Sequence, residues 1–192
     1  MPQANPDAIA FLRSRRSCPA KTLTLPVPGR DELRPLLEIA ARSPDHGKLE
    51  PWRFIVLEKP ALARLAALAG ERGAALGLEQ EKVEKGVAQY ADADLVIAVV
   101  AAPEPSAKIP QIEQHLSAGA VCLALLNAAL ASGWGANWLT GFAAHDREFC
   151  KAGLGLAESE FVAGMVHIGT PRHSPPERPR PDIDAITTWL AE

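Results

Sequence analysis

The feature that most constrains this chain is an Ala-rich segment from Gln111 to about Ser132, which is apolar on nearly every helical face. Its many small side chains allow neighbouring elements to approach closely on several sides. We therefore predict a long helix at the centre of the fold. Its most apolar part, residues 116–131, is shorter than the roughly 20 residues that a membrane-spanning helix needs, and Ser117 and Asn127 interrupt it. We predict no membrane span.

Strands are predicted where short apolar, β-prone runs occur. Residues 94–101 form a continuous apolar run, which is typical of a strand covered on both faces, and residues 52–57 and 161–169 form two more. Asn137 to Thr140 predicts a short strand or turn. The first helix is predicted to begin at Pro6, with Asn5 as its N-cap. Further helices are predicted over residues 33–41, 61–69, 78–90, 146–153 and 183–190, with breaks at Gly70, Gly73 and Gly77 and with Asp146 as the cap of the helix over 146–153.

The order of these elements shows no internal repeat and no linker between two domains. We predict one α+β domain over residues 1–192, with a Pro- and Arg-rich C-terminal arm from about residue 171. The chain of 192 residues is long enough for one real core.

Charge and cysteine content exclude several classes of protein. The formal net charge of −3 gives no general attraction to nucleic acid or to anionic membranes. Three widely spaced cysteines and five scattered histidines form neither a disulfide framework nor a metal-ligand pattern, so we predict no metal and a cytoplasmic location. His115 and His167 are interpreted as satisfied structural residues.

Catalytic signatures such as GxSxG, HExxH, the P-loop and GxGxxG are absent. The clearest candidate site is the run Arg15, Arg16 and Ser17 at the end of the first predicted helix. Two guanidiniums and a hydroxyl can bind a phosphate monoester through several charge-assisted hydrogen bonds. A solvated cationic helix end is the alternative that spacing alone favours slightly.

The order of several short motifs resembles that of the nitroreductase family, and more narrowly its small bacterial NAD(P)H nitroreductases. These motifs are R-R-S, A-R-S-P-D-H, P-W-R-F-I-V, G-W-G-A-N-W-L-T-G and V-H-I-G-T-P, and together they cover nearly the whole chain. The resemblance implies a few-stranded, mostly antiparallel sheet flanked by helices. It also implies an intertwined homodimer with FMN bound at the interface, so that each site takes residues from both chains.

Site residues follow from the resemblance position by position. Arg15, Arg16 and Ser17 match residues that hold the FMN phosphate and nearby flavin atoms. Arg42 and His46 match residues that reach the flavin from the other subunit. The flavin would run along Trp138, Leu139 and Thr140. The segment matched to NAD(P)H consists of Ala128, Ala129, Leu130, Ala131, Ser132 and Gly133.

The sequence departs from the family pattern at the position two residues after Ser17. Many members carry a lysine there, but this chain has Pro19. Lys48 is the first candidate for a replacement cation near the flavin and Lys21 the second. A solvated loop lysine is an equally good interpretation of Lys48.

Further cationic and aromatic candidates lie elsewhere in the chain. Arg178 or Arg180 is a candidate for a further phosphate contact, with a solvated tail as the alternative. Trp52 is interpreted as structural, whereas Trp134 and Trp138 fit either a structural or a flavin-side role.

The predicted function is transfer of two electrons from NAD(P)H, through FMN, to a small acceptor such as a nitroaromatic or a quinone, by a ping-pong mechanism. The flavin carries the chemistry in such an enzyme, so no catalytic side chain is required, and protons come from water or from His46. The alternatives are a flavin-storage protein with little turnover, a specialised relative such as a dehalogenase or a dehydrogenase, and a structural dimer without a cofactor.

Overall fold

The structure, a computed structural model, describes residues 3–191. A five-stranded antiparallel sheet forms its centre, with the strand order β1-β5-β3-β2 and with β4 also paired to β5. The strands are β1 (Leu23–Thr24), β2 (Trp52–Glu58), β3 (Leu95–Ala101), β4 (Gly135–Leu139) and β5 (Phe161–Pro171). The six helices are α1 (Pro6–Ser14), α2 (Arg30–Ala40), α3 (Lys59–Ala75), α4 (Gln80–Ala91), α5 (Gln111–Ala131) and α6 (Arg147–Leu154).

Strand β3 is buried along its whole length, as its unbroken apolar sequence predicts. Because side chains alternate along a strand, Ile97 and Val99 enter the core on one face and Val96 and Val100 enter it on the other. The first face packs against α2 and α5, and the second packs against α3 and α6. The α+β arrangement with helices on both faces of an antiparallel sheet is therefore confirmed.

Two helices begin at side-chain caps that the sequence predicts. Asn5 accepts a hydrogen bond of 3.1 Å from the backbone N–H of Ala8, with Pro6 as the first helical residue of α1. Asp146 accepts one of 3.1 Å from Phe149 N at the start of α6. Asp146 also receives hydrogen bonds from the guanidinium of Arg72, which joins α6 to α3.

The predicted breaks at Gly70 and Gly73 are wrong, because α3 continues through both to Ala75. Gly73 serves helix packing. A Cβ on Gly73 would lie 2.8 Å from Val83 Cγ2, so the absence of a side chain lets α4 pack closely on α3. Gly77, with a φ of +64°, does lie in the turn between the two helices.

The C-terminal part of the chain also differs from the prediction. A helix over residues 183–190 is predicted, but the structure has only a 3₁₀ turn at Asp184–Ile186. The reason is that the large apolar side chains of this segment are not buried by the rest of residues 3–191: Trp189 is 86 % exposed and Leu190 88 % exposed. A short segment without tertiary packing does not sustain a helix.

Helix α5 lies against the sheet on one side only. Its outward face carries Ile112, Leu116 and Leu123, which are 60 %, 66 % and 45 % exposed. By length and composition α5 could cross a membrane, but half of its most apolar window is buried inside the fold, and a core helix passes the same test. The close packing predicted for this helix is confirmed for the face that lies against the sheet.

Candidate functional site

The three residues of the predicted phosphate cluster lie where α1 ends. Arg15 caps the helix, and its guanidinium donates a hydrogen bond of 3.0 Å to Ser17 Oγ. Arg16 donates two hydrogen bonds, of 3.3 and 3.2 Å, to the carbonyl oxygen of Pro176. The C-terminal arm therefore folds back onto this cluster, which sequence spacing alone did not reveal.

The arm brings Arg180 close to the cluster. Arg180 forms an ion pair of 2.9 Å with Glu177, and it is near enough to Arg15 for the two positive charges to repel each other. Arg178 is exposed, and its contact in the structure is a backbone hydrogen bond to the Glu177 carboxylate. Of the two arginines considered for the phosphate, the structure brings Arg180 to the site.

Arg15 has the properties of an anion-binding residue. Burial lowers the pKa of its guanidinium, and the positive charges of Arg180 and Arg16 lower it further. Its Nε is buried and has no hydrogen-bond partner within residues 3–191. A buried donor without a partner costs free energy, and so does the repulsion between neighbouring positive charges. A phosphate at this position would accept a hydrogen bond from the donor and offset the repulsion. The cluster therefore fits the phosphate end of FMN.

The predicted flavin-side segment lies at the end of β4. Trp138 is partly exposed, and its Nε1 donates a hydrogen bond of 3.3 Å to Ala163 O on the neighbouring β5. Thr140 follows the strand, and its carbonyl oxygen accepts a hydrogen bond of 3.2 Å from Gln89 Nε2 on α4. One hydrogen bond to β5 and one to α4 thus hold the segment in place.

A cleft of about 370 Å³ lies beside this segment. We call it the β4 cleft. It is lined by a turn at Ala20–Thr22 on one side, by α4 on the other and by β4 at the back. The lining side chains that bear charge or hydrogen-bonding groups are Lys21, Lys85, Gln89, Asp92, Asn137 and His167.

The other cationic candidates lie in or just before the short turn that follows α2, and none of them lines the β4 cleft. His46 and Lys48 are exposed in a short turn after α2, and Arg42 is exposed just before it. His46 Nδ1 lies 2.7 Å from Glu113 Oε2 on α5. A second cleft is lined by residues 44–46 and by α5, and it shares no residue with the β4 cleft. Within one chain, the structure therefore places His46 at this second cleft and not at the β4 cleft.

Burial differs along the segment matched to NAD(P)H. Ala128 and Ala129 are buried in the core, whereas Ala131, Ser132 and Gly133 are exposed and Leu130 is intermediate. Only the last turn of α5 and the residues after it therefore present surface to a ligand.

The prediction that the side chains of His115 and His167 are satisfied is wrong. The Nε2 atoms of His115 and His167 are both buried and lack a hydrogen-bond partner within the described part of the chain. His115 packs edge-on against Phe161, with ring centroids 4.8 Å apart. His167 faces the β4 cleft. Trp52 is structural as predicted, since its Nε1 donates a hydrogen bond of 3.1 Å to Ser117 Oγ.

Sequence reasoning missed the contribution of α4 to the site. Lys85 and Gln89 are spaced four residues apart and face the β4 cleft, but the pattern of α4 indicates only an amphipathic helix. No local signal distinguishes these two residues from solvated ones, because their role depends on where α4 packs relative to β4.

The sequence agrees with a known family over most of its length. The sequence profile of the Nitroreductase family matches residues 12–170. The chain belongs to the nitroreductase family. The matched range includes the Arg15 cluster, the His46 loop and all five strands except the last residue of β5, but not the C-terminal arm.

Two curated members of the nitroreductase family are similar over nearly their whole length. The chain is 33 % identical over 166 residues to "Putative NAD(P)H nitroreductase YdjA" of Escherichia coli strain K12, covering 86 % of this chain and 89 % of that protein. It is 38 % identical over 165 residues to "Putative NAD(P)H nitroreductase" of Haemophilus influenzae, covering 85 % and 88 %.

Solved structures have the same fold. The nitroreductase-like family protein of Bacillus cereus superimposes with a TM-score of 0.80 at 21 % identity, over 100 % of both chains. A nitroreductase of Desulfovibrio desulfuricans, solved in complex with FMN, gives a TM-score of 0.75 at 22 % identity, over 98 % of both chains. The nitroreductase-like fold predicted from the motifs is therefore confirmed.

Proposed function

We propose that this chain is an FMN-dependent oxidoreductase that passes two electrons from NAD(P)H to a small acceptor, such as a nitroaromatic or a quinone. The observation that carries the proposal is the buried, unpaired Nε of Arg15 among Arg16, Ser17 and Arg180. Membership of the nitroreductase family supports it, as do relatives named as NAD(P)H nitroreductases and a similar fold solved with FMN.

The chain offers a place for each end of FMN. The phosphate would lie at Arg15, Arg16 and Ser17, with Arg180 as a further cation. The ring would lie along Leu139 and Thr140 at the β4 cleft, where the chain provides an apolar wall and hydrogen-bonding groups. When bound, FMN supplies the two-electron chemistry, and the protein positions it and tunes its potential.

We propose a homodimer as the working form. The exposed Ile112, Leu116 and Leu123 form an apolar stripe along one face of α5, with Gly119 and Ala120 between them. A contiguous apolar face of this length is typical of a protein interface. The cleft of His46 borders this stripe and includes Leu116, so a second copy packed there would bring its own Arg42 and His46 toward the partner's flavin.

His46 is the proposed source of a proton in this arrangement. Glu113 Oε2, 2.7 Å from Nδ1, fixes the orientation of the imidazole and leaves Nε2 for a bound acceptor. NAD(P)H would approach along the exposed residues Ala131, Ser132 and Gly133 at the end of α5. Three buried cysteines, unpaired within residues 3–191, agree with the proposed location in the reducing cytoplasm.

Steady-state kinetics test the proposed mechanism. Because donor and acceptor would use the same open face in turn, rates measured over several NAD(P)H and quinone concentrations should give parallel lines in a double-reciprocal plot. Intersecting lines would contradict ping-pong order. Stoichiometric FMN binding without turnover with either nicotinamide would favour the alternative, a flavin-storage protein.

A further inference from the structure

The β4 cleft holds a limited set of charged groups. Four titratable side chains line it: Lys21, Lys85, Asp92 and His167. His167 is 3 % exposed, and burial lowers its pKa to about 4, so it is neutral near pH 7. Any positive charge directed into this cleft must therefore come from a lysine.

The two lysines differ in their partners. Lys85 Nζ lies 2.5 Å from Glu81 Oε1, so its charge is already paired on the surface of α4. Lys21 has no ion-pair or hydrogen-bond partner for its ammonium group among residues 3–191. Asp92 adds a negative charge at the rim. Of the two lysines of this cleft, Lys21 is thus the one whose ammonium group has no partner within residues 3–191.

The position of Lys21 follows from the local fold around Pro19. The carbonyl oxygen of Pro19 accepts hydrogen bonds of 2.8 Å from Thr22 N and 2.7 Å from Thr22 Oγ1, which close the turn that contains Lys21. The residue before the turn, Cys18, is bound to β4 through its backbone: Cys18 N to Ala136 O at 2.9 Å, and Asn137 Nδ2 to Cys18 O at 2.8 Å. The turn is therefore attached to the strand that carries the flavin-side segment.

Lys48 lacks this placement. It lies with a φ of +55° in the His46 loop, and it lines neither the β4 cleft nor the His46 cleft. Within one chain, Lys21 therefore lines the β4 cleft and Lys48 does not, which favours Lys21 for a flavin ring in that cleft.

We infer that Lys21 is the cation that faces the N1 and O2 edge of FMN in this protein, replacing the lysine that Pro19 displaces. The inference rests on the proposed function, because it assumes that the ring occupies the β4 cleft. Two-electron reduction of a flavin leaves negative charge at N1 and O2, so a cation there binds the reduced form more tightly than the oxidised form. Lys21 is a positioning and tuning residue and needs to transfer nothing.

The test compares the midpoint potential of bound FMN in four proteins: wild type, Lys21→Gln, Lys21→Arg and Lys48→Gln. Potentials are measured anaerobically by equilibration with redox dyes, and the dissociation constant for oxidised FMN is measured separately by fluorescence. Lys21 is exposed, so its replacement should leave the fold intact, as circular dichroism can verify.

Lys21→Gln should weaken binding of reduced FMN relative to oxidised FMN by about tenfold or more, the usual effect of removing an opposite charge within 4–6 Å. For a two-electron couple, each factor of ten lowers the midpoint potential by about 30 mV. Lys21→Arg, which keeps the charge, should restore most of the wild-type potential, and Lys48→Gln should leave it unchanged.

Two results would overturn the inference while leaving the proposed function intact. The first is a Lys21→Gln protein that binds FMN with the wild-type potential. The second is a Lys48→Gln protein whose potential falls as far as that of Lys21→Gln. Failure of the wild-type protein to bind FMN at all would overturn the proposed function, and the inference with it.

Discussion

The indole of Trp138 lies against Gly164 on the neighbouring strand, and its Nε1 donates a hydrogen bond of 3.3 Å to Ala163 O. A Cβ on Gly164 would stand 2.5 Å from Trp138 Cδ1 and 2.9 Å from Cys122 Sγ. Both contacts are too short for a real side chain, so the absence of one at residue 164 sets the position of the indole.

Gly164→Ala should therefore push Trp138 away from β5 and destabilise the fold by about 1–3 kcal/mol, the usual cost of overpacking. Urea unfolding gives the free energy, and tryptophan fluorescence reports the displaced indole. Gly70→Ala is the matched control, because its Cβ would meet Val87 Cγ2 at an ordinary 3.5 Å. Equal stability of the two variants would contradict the packing argument.

Arg15→Ala should weaken FMN binding by about 1.5–3 kcal/mol, since it removes a charge-assisted hydrogen bond to the phosphate. The dissociation constant is measured by quenching of flavin fluorescence. Arg13→Ala, two residues earlier on the exposed side of α1, is the control for loss of one positive charge. If both variants weaken binding equally, the effect is general electrostatics and the phosphate assignment to Arg15 fails.

The exposed stripe on α5 predicts the oligomeric state. Leu116→Glu and Leu123→Glu each place a charge in the proposed interface, so these variants should dissociate to monomers at concentrations where the wild type is a dimer. Light scattering coupled to gel filtration measures the mass. Leu76→Glu changes a similarly exposed leucine at the end of α3 and should leave the dimer intact. A monomeric wild type would exclude the proposed two-chain site.

Burial of His167 predicts a loss of stability in acid. Its pKa is lowered from 6.5 to about 4 in the folded protein. Between these two values the unfolded chain binds a proton that the folded chain does not, so the free energy of unfolding falls as the pH falls. The full contribution is about 3 kcal/mol and is lost between pH 6.5 and 4.

His167→Gln removes this titration while keeping a polar side chain. Unfolding by urea at pH 7 and at pH 5 should show a smaller loss of stability for the variant than for the wild type, by about 2 kcal/mol. Groups other than His167 titrate in both proteins, and their effects cancel in the comparison. An identical loss in both proteins would show that His167 is protonated in the fold.

The sequence predicted the elements whose signals are local. The apolar run of β3, the strand at β2 and the caps at Asn5 and Asp146 depend only on neighbouring residues, and all four are present. The predicted helix break at Gly73 is wrong because the role of this glycine depends on Val83 of another helix. The predicted C-terminal helix is absent because the rest of residues 3–191 leaves Trp189 and Leu190 exposed.

In the candidate site, too, residues that are adjacent in sequence could be predicted, whereas contacts between distant residues could not. Arg15, Arg16 and Ser17 are adjacent in sequence, so a phosphate cluster could be proposed from residue types alone. The contact of Arg16 with Pro176 joins residues 160 positions apart and could not be predicted. The choice between Lys48 and Lys21 as the cation near the flavin stays a prediction, and only the tertiary structure shows that Lys21, and not Lys48, lines the β4 cleft.

The proposed flavin chemistry is tested by the visible spectrum of the protein loaded with FMN, freed of excess flavin, and recorded without oxygen before and after addition of NADPH or NADH. We expect a bound flavin spectrum that bleaches with a nicotinamide and returns when a quinone or a nitroaromatic is added. A protein that retains no flavin, or whose bound flavin stays oxidised with both nicotinamides, would contradict the proposed flavin chemistry.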